Sequence, residues 1–449
     1  MDEHILAIEN EVIDQYLNDD NPRPWIIAFS GGKDSTALTQ IVWNSLKQID
    51  PARRTRPVHI VCNNTLVENP TILDYVKKQI NLIKSAAIEQ SLPVTFEHTI
   101  PSLNNSFWVN MIGRGYVAPN SLFRWCTERL KINPTTKYIL DQISRYGEVI
   151  ILLGSRKAES ITRATSIKKF EIKGERLSKY QINGAYLFSP IKELTTEEVW
   201  FYLAGNESPW HADNSELAHI YRNASDNNDC PLITDTSMPT CGGSRFGCWV
   251  CTVVKNDRSM RGLIQSGENW MLPLLNMRNF LAQTIDRDNP EYDPEIYRMP
   301  VRRNMDKGIG PYWPKWRYEI LRQLLITQAT IQKERPEISL ITQQELVIIQ
   351  TVWNRDFIFE YRVSDILDEV YGKHNIPKYK EWTNDEHALL KEACSNNQSD
   401  FELINNLLKA RHNKLILTNN RGLQKDLERI LDEYLFPTYT DVYKQNNNK

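Results

Sequence analysis

Apolar and polar positions alternate along the first two hundred residues in two distinct periods. Trp25-Ile26-Ile27-Ala28-Phe29 is a short unbroken apolar run, the signature of a buried strand. A glycine pair follows, then a helical stretch with Leu38, Ile41, Val42 and Leu46 on one face. The alternation recurs in Val58-His59-Ile60-Val61, an amphipathic helix over residues 71–90, and the short strand Val94-Thr95-Phe96. After a loop rich in Asn, Ser and Gly come a helix near 135–145 and the strand Val149-Ile150-Ile151-Leu152-Leu153. Strands alternating with helices predict an α/β fold, a mostly parallel sheet with helices on both faces. In such sheets ligands bind beyond the carboxyl ends of the strands.

The later chain changes character. Residues 168–179 are polar, basic and unperiodic, which predicts a surface loop or hairpin. Thr195 and Glu198 form a capping box that opens a helix, with Trp200 as a packing residue. Residues 222–262 hold four cysteines among Gly, Asp, Ser and Pro, with little regular pattern. From about 316 onward the periodicity is helical, including a second capping box at Thr383 and Glu386. The expected division is an α/β domain over 1–204, a Cys-rich segment over 205–265, a mainly helical region over 266–440 and a disordered tail over 441–449.

Composition narrows the class. Of 449 residues, 41% are hydrophobic and 24% charged, enough for ordinary globular cores. A net charge of -2 excludes a globally basic nucleic-acid coat, so any polyanion must meet a local patch. No apolar run reaches membrane length and the first residues lack a signal-peptide layout, so a soluble, cytoplasmic protein with no membrane partner is expected. Seven cysteines, clustered in a chain too large to need disulfide staples, read as metal ligands or sulfur chemistry.

The first chemical motif is Ser30-Gly31-Gly32-Lys33-Asp34-Ser35, between a buried strand and a helix. Adjacent glycines let backbone approach a phosphate, while Ser30, Ser35 and the helix amides supply donors. A Walker A loop requires four residues between its glycines, and this stretch has none. An acidic residue, Asp34, in a phosphate site makes sense if it holds Mg²⁺ bridging phosphate oxygens. The hexapeptide resembles the SGGxDS loop of the N-type ATP pyrophosphatases, the PP-loop family with its adenine-nucleotide-hydrolase-like fold. That resemblance implies ATP bound at Ser30 to Ser35, adenylyl transfer and release of pyrophosphate.

Further stretches resemble the PAPS-reductase-like branch of that family. Gly154-Ser155-Arg156 with Glu159, Ser160 and Arg163 is similar to its G-x-R-x-x-E-S-x-x-R element. Gly154 and Arg156 are then nucleotide-binding, with Arg156 neutralising charge at the α-phosphate. Ser189-Pro190-Ile191 through Trp200 and Arg124-Trp125-Cys126-Thr127 with Arg129 and Lys131 resemble two more of its boxes.

Cys230, Cys241, Cys248 and Cys251 follow the spacing C-x10-C-x6-C-x2-C. Structural zinc and an iron–sulfur cluster both satisfy it, whereas a thioredoxin-like redox pair lacks its strand-to-helix setting. Cys62 and Cys394 read as small core residues. The string from Cys241 to Val254 resembles the Cys-rich signature of the DndC family, PAPS-reductase-like sulfurtransferases of bacterial DNA phosphorothioation. Asp229-Cys230-Pro231-Leu232 and residues 310–317 fit the same family. The resemblance implies a [4Fe-4S] cluster and sulfur placed on the DNA backbone. Its partners would be a cysteine desulfurase as sulfur and cluster donor, an SMC-like ATPase and a small DNA-binding protein. The local quartet is assigned as ligands and Cys126 as the sulfur carrier. In the other arrangement Cys126 ligates the cluster and Cys230 or Cys241 is released. Arg124, Arg129 and Lys131 are expected to lower the Cys126 pKa.

Asp34, Arg156 and Cys126 are thus the candidate catalytic residues. Two basic regions are candidates for DNA: Lys168, Lys169, Lys173, Arg176 and Lys179, and the interleaved cations and aromatics of 297–317, including Arg298, Tyr312, Trp313, Trp316 and Arg317. Solvated basic faces over core aromatics are the plainer reading of both. Competing functions are an APS or PAPS reductase, which needs a nucleophilic Cys on a carboxyl-terminal tail where this chain has none after Cys394, a tRNA thiolase, and a non-enzymatic zinc scaffold.

Overall fold

The computed structural model describes residues 2–19, 21–172, 174–223, 247–299, 310–356, 358–372, 390–394, 397–404, 406–407 and 427–431. Six strands form its sheet: β1 (Trp25–Ala28), β2 (Val58–Asn63), β3 (Val94–Thr99), β4 (Val149–Leu152), β5 (Ser178–Lys179) and β6 (Ala185–Phe188). They lie in the order β3-β2-β1-β4-β6-β5, parallel throughout except that β5 runs antiparallel to β6. Trp25 registers with Val58 on one side and Ile150 on the other, so the predicted apolar runs are the three central strands.

The helices near the sheet are α1 (Asp2–Asn18), α2 (Lys33–Gln48), α3 (Pro70–Glu89), the single turn α4 (Trp125–Thr127), α5 (Asn133–Tyr146), α6 (Ile161–Phe170), α7 (Thr196–Gly205) and α8 (Asn214–Asn223). Trp25, Ile27, Ile60 and Leu152 face α1, α2, α3 and α7 in one core. Ile26, Val61 and Ile151 point the other way, onto Ile139 of α5. Burial on both faces is why the strand sequences are continuously apolar rather than alternating. The capping box of α7 forms as expected, with Thr195 Oγ1 accepting from Glu198 N and the Glu198 carboxylate accepting from Thr195 N. Residues 168–179 divide: Lys168 and Lys169 end α6, where cations favour the carbonyl end of a helix, and Ser178–Lys179 opens a hairpin.

A second core joins residues 107–130 to the carboxyl-terminal helices α9 (Arg258–Gln265), α10 (Leu272–Gln283), α11 (Pro294–Tyr297), α12 (Pro314–Ile331), α13 (Gln343–Arg355) and α14 (Val363–Tyr371). Trp108 Nε1 donates to the Leu340 carbonyl at 2.8 Å and Trp353 Nε1 to that of Ile112 at 2.9 Å. Trp249 and Val250, between Cys248 and Cys251, are buried in this core. The box predicted at Thr383 and Glu386 and the tail 441–449 lie outside the described residues, whereas Thr342 and Glu345 cap α13. No described helix is long and apolar enough to cross a membrane.

Candidate nucleotide and thiol sites

The hexapeptide Ser30–Ser35 closes the carboxyl end of β1 and enters α2. Gly31 takes a left-handed φ of 73°, and a Cβ there would stand 2.5 Å from Val76 Cγ2 of α3. Ser35 Oγ accepts from Ser30 N at 3.2 Å and donates to the Gly32 carbonyl at 3.0 Å, cross-bracing the turn. Gly154, just beyond β4, lies against the loop backbone: a Cβ would come 2.9 Å from the Asp34 carbonyl oxygen. Only glycine allows the two segments to meet.

Arg156 has no exposed surface. Its Nε donates to Asp34 Oδ1 at 2.7 Å, Nη1 to the Leu194 carbonyl at 3.0 Å and Nη2 to Thr196 Oγ1 at 3.2 Å. Lys33 Nζ takes the other Asp34 oxygen at 2.8 Å. Asp34 is therefore held between two cations, and Arg156 acts on the loop through Asp34 instead of presenting a cation to solvent. A carboxylate has about four lone-pair sites, so Asp34 retains capacity for Mg²⁺. Lys33 N donates to the Tyr221 hydroxyl at 3.3 Å.

The thiols gather beyond the carboxyl end of β2. Glu68 and Cys248 form an antiparallel bridge, flanked by Trp249 N to the Val67 carbonyl at 3.0 Å and Asn69 N to that of Gly247 at 3.3 Å. Thr65 Oγ1 lies 3.3 Å from Cys248 Sγ, and Cys251 N donates to the Cys248 carbonyl at 3.0 Å. The buried Arg278 guanidinium donates to the carbonyls of Cys251, Lys255 and Val254, fixing the following turn. Burial, reinforced by the Glu68 charge, pushes the Cys248 thiol up to about 12. Lys131, which burial alone would lower, is held above its usual value by Cys248, Glu68, Cys126 and Cys251.

Cys126 shares this neighbourhood. Burial raises its pKa, and the nearby Cys251 adds to the effect. The lowered value expected from adjacent cations is thus overturned by desolvation, and Arg129 is engaged elsewhere, with Asn105 at 2.7 Å and the Tyr116 hydroxyl at 2.9 Å. Cys230 and Cys241 lie outside the described residues. Among the described residues no three His, Cys, Asp or Glu side chains are placed to hold a metal. As soft donors on one turn, Cys248 and Cys251 suit a thiophilic group whose remaining ligands come from elsewhere. Cys62 is core, its thiol pushed up to about 12 by burial, and Cys394 is buried too.

The sequence model of the phosphoadenosine phosphosulfate reductase domain matches residues 24–253, just over half of the chain. The chain belongs to that family. An uncharacterized protein of Methanocaldococcus jannaschii is 28% identical over 190 residues, 42% of this chain and 33% of that protein. The chain therefore spans about a third of that relative's length. Among solved structures, the phosphoadenylyl-sulfate reductase of Candida auris in its phosphate complex is 14% identical, with a TM-score of 0.26 over 47% of this chain and 89% of that one. The U34-tRNA thiolase NcsA of Methanococcus maripaludis with its [4Fe-4S] cluster is 15% identical, with a TM-score of 0.28 over 51% and 76%.

The reductase-family domain brings the loop, Gly154 and Arg156 together, and separately gathers Cys126, Cys248 and Cys251. Thr65, Glu68, Arg278 and Tyr221 escaped sequence reasoning. Only Asn69, an N-cap before Pro70, carried a local signal. Of the basic regions, Arg176 pairs with Asp14 and Glu11 while Lys168 and Lys169 are exposed. Tyr312 is fully buried, its hydroxyl accepting from Ala118 N at 3.0 Å, and Arg317 is buried on the carbonyls of Tyr312 and Gly113. Those two belong to the core and cannot stack a base or grip a phosphate. Trp316 packs on Tyr297, and Trp313 is partly exposed. Lys173, Arg302, Arg303 and Lys307 lie outside the described residues.

Proposed function

We propose that this chain is an ATP-dependent sulfurtransferase of the DndC type, acting on the DNA backbone. The observation that carries the reading is that the phosphate loop follows β1 and the segment bridged to Cys248 follows the adjacent parallel strand β2, at the same carboxyl edge of the sheet. Helix α3 spans both, its N-cap Asn69 on Gly247 and its Val76 over Gly31. Parallel strands stand about 4.8 Å apart, so activation and sulfur delivery have a shared edge to work on. The Cys241–Val254 string supports the same family.

In this scheme a non-bridging backbone oxygen attacks the α-phosphorus of ATP, and pyrophosphate leaves with the bonding pair. The loop amides and Lys33 receive that charge, and Arg156 keeps Asp34 oriented. Asp34 would hold Mg²⁺, which supplies charge neutralisation between phosphate oxygens. A persulfide on Cys126 then attacks the activated phosphorus and AMP departs. An external thiol cleaves the remaining S–S bond, becoming the disulfide partner and leaving sulfur on the backbone. Two steps replace one difficult substitution. Cys230, Cys241, Cys248 and Cys251 would hold a [4Fe-4S] cluster, which supplies soft-ligand sulfur chemistry when bound.

The test supplies the purified chain with ATP, duplex DNA, cysteine, a reducing thiol and a cysteine desulfurase. ATP-dependent appearance of sulfur-linked dinucleotides in nuclease digests is the expected result. Sulfite from adenylyl sulfate, or thiolated tRNA, with no sulfur in DNA would replace the reading with a reductase or a tRNA thiolase.

A further inference from the structure

We infer that Tyr221 is a phosphate-binding residue of the nucleotide site, donating its hydroxyl to the oxygen that takes over the Lys33 amide. The inference rests on the nucleotide reading above and adds a residue that no motif marks. Lys33 N is among the first amides of the 16-residue α2, and such amides have no acceptor within their own helix. The N-cap is Gly32, with no side chain to cover them. The end of the helix is nevertheless met from outside: the Tyr221 hydroxyl, carried by α8, lies 3.3 Å from Lys33 N. It stands directly over the loop, since a Cβ on Gly32 would come within 3.2 Å of it.

The ring is held in that position. It meets the buried Trp200 of α7 edge-on, at 5.1 Å and 83°. Lys33 Nζ lies 5.8 Å from its centroid. A neutral phenol oxygen satisfies the amide as an acceptor but does not answer the positive end of the helix, which favours an anion. A phosphate oxygen is therefore the stronger acceptor and replaces the phenol on Lys33 N. Unlike the backbone amides, a phenol both accepts and donates, so the hydroxyl that accepts from Lys33 N can give its O–H to an arriving anion. Lys33 and Tyr221 lie 188 residues apart in sequence, so the phosphate site draws on both ends of the domain.

Tyr221→Phe removes only the hydroxyl and keeps the ring against Trp200. Calorimetric titration of wild type and variant with pyrophosphate and with adenosine tests the idea. The affinity for pyrophosphate is expected to fall about tenfold or more, the scale of one hydrogen bond to a charged group, while that for adenosine is unchanged. Unchanged or tighter pyrophosphate binding overturns the inference, as does an equal loss for adenosine, which a merely structural role would produce. A wild-type protein that binds neither ligand overturns the nucleotide reading itself.

Discussion

Arg156 Nε lies 2.7 Å from Asp34 Oδ1, tying the segment after β4 to the first turn of α2 across the carboxyl edge of the sheet. The guanidinium is wholly buried, so its partner cannot be removed without leaving a charge in the interior. Asp34→Ala is expected to cost about 3 kcal/mol, the low end for breaking a buried pair because two hydrogen bonds to Arg156 survive. Ser35→Ala, which leaves every charge in place, should cost about 1 kcal/mol. Both should reduce pyrophosphate release at least about tenfold. Urea denaturation compares the stabilities, and equal losses would show that the ion pair does not hold the loop. Wild-type pyrophosphate release in Ser35→Ala would remove the nucleotide chemistry from this site.

Gly154→Ala places a methyl group 2.9 Å from the Asp34 carbonyl oxygen, with only backbone to yield. A destabilisation of about 1–3 kcal/mol is expected from such overpacking, with pyrophosphate release lost at temperatures where the protein stays folded. A variant with wild-type melting and turnover would mean that the β4 end and the loop separate freely.

The thiols divide by what each change should remove. Cys248→Ala and Cys251→Ala are each expected to abolish the broad visible absorbance of anaerobically purified protein. Cys126→Ser should keep that absorbance and pyrophosphate release yet yield no sulfur in DNA. A bleached spectrum in Cys126→Ser would make it a ligand, and stoichiometric zinc without sulfide in the active wild type would end the cluster assignment.

Thr195→Ala removes one half of the capping box on α7, worth about 1 kcal/mol. Because α7 carries both Thr196, on Arg156, and Trp200, against Tyr221, the loss should appear first as weaker nucleotide binding on warming. Nucleotide affinity that tracks wild type up to the melting transition would refute that coupling.

His59 and His98, both lowered by burial, make stability depend on pH, and His59 offers the test. Burial lowers its pKa below the usual 6.5, against the smaller opposing influence of Glu97. Below pH 6.5 the unfolded chain takes up a proton that the folded ring resists, so stability should fall as pH drops through about 6.5. His59→Asn should flatten that slope in denaturation series between pH 5 and 7.5, and an unchanged slope would assign the dependence to other groups.

The sheet and its loop were legible because their signals are local. An apolar run, a glycine pair and a helical stripe each occupy one stretch of chain, and Trp25 through Leu46 carries all three. That Arg156 follows a central strand was legible, but its orientation was not, since its partners come from α2 and from the segment around Leu194 and Thr196. The Cys126 pKa moved opposite to expectation because burial outweighs its sequence-adjacent cations: Arg129 is engaged elsewhere, and Lys131 divides its charge among Cys248, Glu68, Cys126 and Cys251. Glu68 and Tyr221 act through contacts more than 170 residues away in sequence, beyond any pattern along the chain.

The bonds from Trp108 to Leu340 and from Trp353 to Ile112 set an order on synthesis. A chain leaving the ribosome can finish its parallel sheet once Phe188 is free, with Gly154 already against the phosphate loop. Residues 107–130, which include Cys126, lack their enclosing partners until Trp353 emerges. At about 5–20 residues per second, roughly ten to thirty seconds separate the two events. Through that interval Cys126, half-buried in the finished fold, is open on every side to oxidants and to thiol-loading machinery alike, and the closing of the second core narrows both exposures together.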